Sequence, residues 1–476
     1  MDFPIFHLDM TGNRLLIAVI AILHVLINHA IAVGFIPVVT LLEFLGFRTG
    51  RKDPERGRKW DDLARKMMFV AFVITTSIGA LTGVGIWFST SLVMPEGIGS
   101  LIRVFYGAWF SEWIIFMLEV IFIMFYFLQW KKSNETEQAK RRHIYFGAAL
   151  SIFSWLTMVI IVAILGFMMD PGNWPSSRTL FSGIANPLYI PQLYFRTPLA
   201  MMMGGAFALF LTMIFLKKKD TIREGVVRFL SLWLLVWSPV CAVGAVLYRA
   251  VIPKAMIGNL PTAIATQAFV QWYDELLIVI FGAVGVSLLI ALWGFLKPRF
   301  LPGAALVFPL AALFIFLGSF ERIREFIRKP YVINQYMYAN GLRVADYPLY
   351  QKNGVLPYSA YVDTPTVTEA NKIEAGKNVF MITCSRCHTI NGINSVVTKF
   401  RKLTPPGQSL DAEAIKQYIP RMHNVWYYMP PFPGNAAELD ALAAFIIDVD
   451  KNPRPIHGAQ TIGITRPENK PVKEEK

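Results

Sequence analysis

Cys384-Ser385-Arg386-Cys387-His388 sets two thiols two residues apart and follows the second at once with an imidazole. That spacing suits covalent attachment of a c-type haem. Each thiol can add to a haem vinyl group, and the adjacent histidine then faces the iron. A zinc or redox Cys-x-x-Cys is the alternative. Zinc asks for two further ligands at similar spacing. The one other cysteine, Cys241, lies far away in an apolar run.

Downstream stands Tyr428-Met429-Pro430-Pro431-Phe432-Pro433-Gly434, followed by a helix-like run from Ala436 to Val449. Proline removes backbone donors and holds an extended loop, which can present the Met429 thioether to iron. His388 and Met429 are then the two axial ligands, a pairing that favours reduced iron. His423 is the rival ligand, or an ordinary loop histidine. The segment from Thr364 to Pro455 resembles small monohaem class I cytochromes c, with Asn371–Thr383 as the first helix.

The rest of the chain belongs to a bilayer. Of 476 residues, 54% are hydrophobic and 16% charged, too apolar a balance for one soluble domain. The net charge of +14 does not indicate nucleic acid, because lysines and arginines cluster between apolar runs. Eight such runs, near 15–45, 67–94, 102–129, 143–168, 197–216, 227–250, 273–296 and 303–320, are long enough or nearly so to cross a membrane. The predicted fold class is therefore all-α: a bundle of about eight transmembrane helices with a C-terminal cytochrome c domain. Boundaries fall at 1–330 for the bundle, 331–363 for an extended aromatic linker, 364–455 for the haem domain and 456–476 for a polar tail.

Charge fixes the expected orientation. The first connecting loop carries Arg48, Arg51, Lys52, Arg56, Arg58, Lys59, Arg65 and Lys66. The third, fifth and seventh are also basic, and the even-numbered loops carry few cations. The positive-inside rule then places both termini outside. Asp2 and Asp9 precede the first cation, Arg14, so the start reads as an outer segment without a cleavable signal. Haem c is attached on that side in bacteria. The expected location is the inner membrane, with both termini periplasmic.

Asn13-Arg14-Leu15-Leu16, then His24, Gly34 and Glu43, resembles the first helix of cytochrome bd quinol oxidase subunit I. Thr82-Gly83-Val84, Gly166-Phe167-Met168-Met169-Asp170-Pro171, Asn186-Pro187 and Glu325-Phe326-Ile327-Arg328-Lys329-Pro330-Tyr331 continue the resemblance in order. It implies a b-type haem on His24, a proton path at Glu112 and Glu119, a related second subunit and a possible quinone partner. His24 read from composition alone is a hydrogen-bonded intramembrane histidine, and His29 is a further candidate ligand. A structural pair with Arg103, Arg196 or another subunit is the alternative role for the two glutamates, which lie seven residues apart on one helix face.

The departures from that family matter. Its low-spin b haem is held by a histidine in the fifth helix and a methionine in the seventh; these places fall at or next to Arg196 and near Ile278. Neither residue ligates iron as the family residue does. The place of the family's high-spin haem glutamate falls at 316–318, with Glu321 nearby in a charged exit segment. The long quinol loop shrinks to about 251–271, and the ninth helix is absent. The scaffold thus reads as one that has lost much of its cofactor set. Its expected function is electron transfer in a respiratory assembly, with other membrane subunits and periplasmic c-type cytochromes as partners. A terminal oxidase or quinol–cytochrome c oxidoreductase is the enzymatic alternative, and a cofactor-free anchor for haem c the structural one. His7 and His143, at span ends, are expected at the interface. Cys241, Met201, Met202 and Met203 read as packing.

Overall fold

A computed structural model describes residues 4–265, 273–456 and 458–462, with backbone alone at 264–265, 273–281 and 460–462. Two compact units emerge. One comprises 1–21, 85–103 and 326–476; the other comprises 22–84 and 104–325.

Seven helices among the described residues are long and apolar enough to cross a membrane: Asn13–Gly50, Pro54–Val93, Pro95–Leu128, Glu137–Met169, Tyr189–Phe215, Arg223–Val251 and Gly303–Ile327. An eighth, Tyr273–Leu296, falls between the last two and carries the short apolar stretch Gly282–Leu296. We number these spans one to eight in chain order. The chain is thus a multi-pass membrane protein. Several helices begin well before the apolar stretch because polar caps set their starts. Asp53 accepts the Arg56 N–H at 3.0 Å with Pro54 in the first turn, and Thr136 accepts the Ala139 N–H at 3.1 Å.

Spans one and five cross backbone to backbone. A methyl group on Gly34 would stand 1.9 Å from the Ala200 carbonyl oxygen, and one on Gly204 would stand 2.0 Å from the Gly34 carbonyl carbon. Only glycines allow that approach, the usual device for helix contact in lipid. Met201, Met202 and Met203 are buried beside this crossing, and Cys241 is buried on span six. Spans two and three bury only 6% and 11% of their apolar windows, so Leu81, Val84, Phe88 and Phe110 face lipid or another chain.

The other unit is built on the helices Lys372–Thr383 and Ala436–Lys451, which also cross in backbone contact: a methyl on Gly376 would meet the Ala441 carbonyl oxygen at 2.0 Å. Phe380 and Phe445 pack beside that crossing with ring centroids 6.0 Å apart. The tyrosine-rich stretch expected to be extended folds instead. Tyr338, Tyr347, Tyr350, Leu356 and Val362 enter the same buried core as Phe380 and Phe445. Tyrosine rings meet in succession there, 331 stacked on 338 at 4.9 Å and 338 tilted against 347 at 4.5 Å. Aromatic area of that size is worth more buried than extended. The strand Ile5–Leu8, ahead of span one, pairs antiparallel with Ala459–Ile462. Positions 457 and 463–476 of the tail, the side chain of Ile278, and those of Asp274 and Glu275, expected at the interface from their place at a span start, lie outside the described residues.

Candidate haem-binding site and membrane polar clusters

The helix Lys372–Thr383 delivers the attachment motif from its last turn. Cys384 and Ser385 both donate backbone N–H to the Phe380 carbonyl, at 2.9 and 3.0 Å. The N–H groups of Cys387 and His388 then both reach the Cys384 carbonyl, at 3.1 and 3.0 Å. This tight turn brings two free thiols and one imidazole into consecutive positions. Burial pushes the Cys384 thiol up to about 11.

His388 is oriented by its own loop. Nδ1 lies 3.1 Å from the Asn394 carbonyl oxygen, which fixes the donating nitrogen and leaves Nε2 for a metal. Burial holds the imidazole below its ordinary pKa, as a neutral ligand requires. Asn394 has φ +59°, a left-handed conformation that asparagine tolerates, and its amide donates to the Cys387 carbonyl at 2.8 Å. Sequence reasoning missed this residue because its contribution is a carbonyl. The Asn391-Gly392-Ile393-Asn394 turn was the available signal.

The methionine loop is held from both sides. Met429 donates its N–H to the Trp426 carbonyl at 2.8 Å, and the His423 Nδ1–H donates to the Met429 carbonyl at 2.5 Å. His423 therefore braces the backbone of Met429. Phe432 is buried beyond it, and Asn435 caps the final helix through the Glu438 N–H at 3.0 Å. Thiols unbridged, an imidazole with one nitrogen committed, and a thioether on a braced loop form a donor set that fits a c-type haem.

In the membrane unit, His24 Nδ1 lies 3.1 Å from Thr82 Oγ1. That hydroxyl already donates to the Ile78 carbonyl at 2.7 Å, so the imidazole is the donor of the pair. Nε2 is then the nitrogen left for a ligand. Gly83 makes room: a methyl there would stand 3.1 Å from the ring. His29 differs. Its Nδ1 meets the Val25 carbonyl at 3.0 Å, and its Nε2 accepts from Arg196 Nη1 at 3.2 Å. Both ring nitrogens are engaged.

Arg196, fully buried, also forms an ion pair with Glu321, which a second pair links to Arg324 at 3.0 Å. The expected low-spin haem position thus carries a charge cluster. Glu321 is a buried counter-ion rather than part of an exposed exit, because two arginines enclose it. Glu119 accepts from Ser154 Oγ at 2.7 Å, and Arg196 is committed elsewhere. Glu112 occupies the same helix one heptad earlier.

His143, near the start of span four, is buried. Its Nδ1 meets Glu43 at 2.6 Å and its Nε2 the Tyr126 carbonyl at 2.7 Å. Lys140 bridges Glu43 and Asp61 at 2.6 and 2.5 Å, and the Tyr126 hydroxyl donates to Glu43 at 2.7 Å. This network satisfies a carboxylate that could not otherwise sit in apolar surroundings. His7 is also buried, 3.6 Å from Asp9 and edge-on to Phe380.

Comparison with known proteins follows the same division. The family described as cytochrome c oxidase, cbb3-type, subunit III matches residues 371–446. A solved structure of bd oxidase from Geobacillus thermodenitrificans is similar in fold, with a TM-score of 0.53 and 16% identity over 69% of this chain and 90% of that chain. No curated protein matches. The chain joins a membrane part with a bd oxidase-like fold to a C-terminal cytochrome c domain, and this combination indicates membrane redox electron transfer.

Proposed function

We propose that this chain is the electron-transfer subunit of a bacterial respiratory complex, relaying electrons between neighbouring membrane subunits and other periplasmic redox centres. A covalent haem c would supply one-electron exchange at iron. Cys384 and Cys387 would tether it, and His388 and Met429 would ligate its iron, with His423 supporting the methionine loop. The carrying observation is the helix-end turn, in which His388 is aimed by the Asn394 carbonyl within a segment matched by a cytochrome family.

The working division is 1–330 for the bundle, 331–363 for the aromatic connection, 364–455 for the haem domain and 456–476 for the tail. Basic odd-numbered loops support an inner-membrane setting with both termini periplasmic. The thinly covered faces of spans two and three support a further membrane subunit.

The Thr82 bond favours a second reading, in which His24 ligates a b haem and the assembly acts as a quinol–cytochrome c oxidoreductase or oxidase. Glu119 and Ser154, with Glu112, would then hold protons within the bundle. The purified chain analysed by pyridine haemochrome separates the readings. Haem c alone supports the relay or a bare anchor; haem c with haem b supports the second reading. No haem c overturns the proposal.

A further inference from the structure

Arg386 is the spacer directly before Cys387, and only 6% of its side chain is exposed. A guanidinium keeps its charge on burial, so this position carries a cation beside the haem attachment points. Its counter-charge comes from far along the chain. Glu96, in the first turn of the helix Pro95–Leu128, accepts from Arg386 Nη2 at 3.1 Å. Nε and Nη1 of Arg386 have no hydrogen-bond partner among the described residues, which leaves Glu96 as the group that compensates the charge. Gly341 makes the approach possible. It has φ +87°, and a methyl there would stand 3.3 Å from the Glu96 carboxylate and 3.9 Å from the guanidinium.

We propose that Glu96 is a positioning residue for electron transfer: paired with Arg386, it sets the charge beside the porphyrin and with it the reduction potential of haem c. This rests on the reading of residues 384–388 as a haem attachment site. Oxidation leaves one more positive charge on the iron. A lone Arg386 cation opposes that charge and favours the reduced form. The Glu96 carboxylate cancels the bias. Because Arg386 adjoins a thioether-forming cysteine, covalent connection alone keeps its charge near the macrocycle.

The test is a potentiometric titration of the full chain in detergent, after a haem-stained denaturing gel. Glu96→Gln should raise the reduced-to-oxidised ratio at fixed potential, by several-fold to roughly tenfold for one unit charge acting through partly screened protein. Arg386→Gln should lower it, and the double variant should lie near wild type. Glu96→Asp keeps the charge and should stay near wild type even where Glu96→Gln fails to fold. Shifts of one sign for both single variants, or lower thermal stability with an unmoved potential, would leave only a structural latch and overturn the proposal. So would an Asp variant that shifts as far as Gln. A chain with no covalent haem removes the reading of the motif and this proposal with it; a loaded chain whose potential ignores Glu96 removes this proposal alone.

Discussion

Glu438→Ala should destabilise the haem domain severely. The carboxylate is 2% exposed and accepts two backbone N–H groups, from Val355 and Leu356, each at 2.8 Å. Both donors belong to fully buried residues. Removing the acceptor leaves them with no water to turn to. A hydrogen bond to a charged group is worth about 1.5–3 kcal/mol, so the pair is worth about 3–6 kcal/mol. At a minimum of about 2 °C per kcal/mol, the transition should fall by at least about 6 °C. Thermal unfolding of the full chain in detergent, followed at the haem absorption band, measures it. Glu438→Gln keeps one oxygen acceptor and should cost roughly half as much.

The pH dependence of the same site has a definite sign. Burial raises the Glu438 pKa above the ordinary carboxylate value, although the Leu356 and Val355 N–H groups pull it down. A raised folded-state pKa adds stability below the unfolded value, lost as pH rises through the folded value. Wild type should therefore gain on Glu438→Gln as pH falls from neutral through the acid range. An Ala variant within 2 °C of wild type would refute the assigned bonds, and a gap between wild type and Gln that narrows on acidification would refute the raised pKa.

Met429→Ala should abolish any sulfur-to-iron absorption band and lower the haem potential; an unchanged spectrum would shift the axial role to His423. Cys384→Ala with Cys387→Ala should leave no haem that survives a denaturing gel, while persistent staining would refute covalent attachment there. If the preparation contains haem b, His24→Ala should remove it from the haemochrome and leave haem c. Thr82→Val should weaken its retention through loss of the imidazole's orienting partner. Equal haem b in wild type and His24→Ala would exclude that ligand.

What sequence could show was local or periodic. Residues 384–388 declare their chemistry within five positions, and spans appear wherever apolar residues run for about 20 positions. Helix starts were less legible. Span two begins at Pro54, well before its apolar core, because Asp53 caps a polar first turn. Partnerships across the chain left no pattern. Arg386 and Glu96 lie 290 positions apart, and Arg196 and Glu321 lie 125 apart. Each half looks like an ordinary surface charge until folding brings its counter-ion. His143 shows the same limit: nothing near a span end announces that Glu43, 100 residues earlier, meets it. Tyrosine content near 331–363 suggested an extended linker, since composition does not reveal that the rings pack against one another.

The pairing of Ile5–Leu8 with Ala459–Ile462 separates the genetic edge of the haem unit from its physical edge. Met10 adds to the join by accepting the Ile393 N–H at 2.8 Å. A soluble excision beginning at residue 331 would leave behind a strand, the backbone that seats Gly392, and Glu96. Its last strand would then offer an unpaired rim to other molecules. On the ribosome, too, closure of this unit waits until the opening residues and the 459–462 strand are both available.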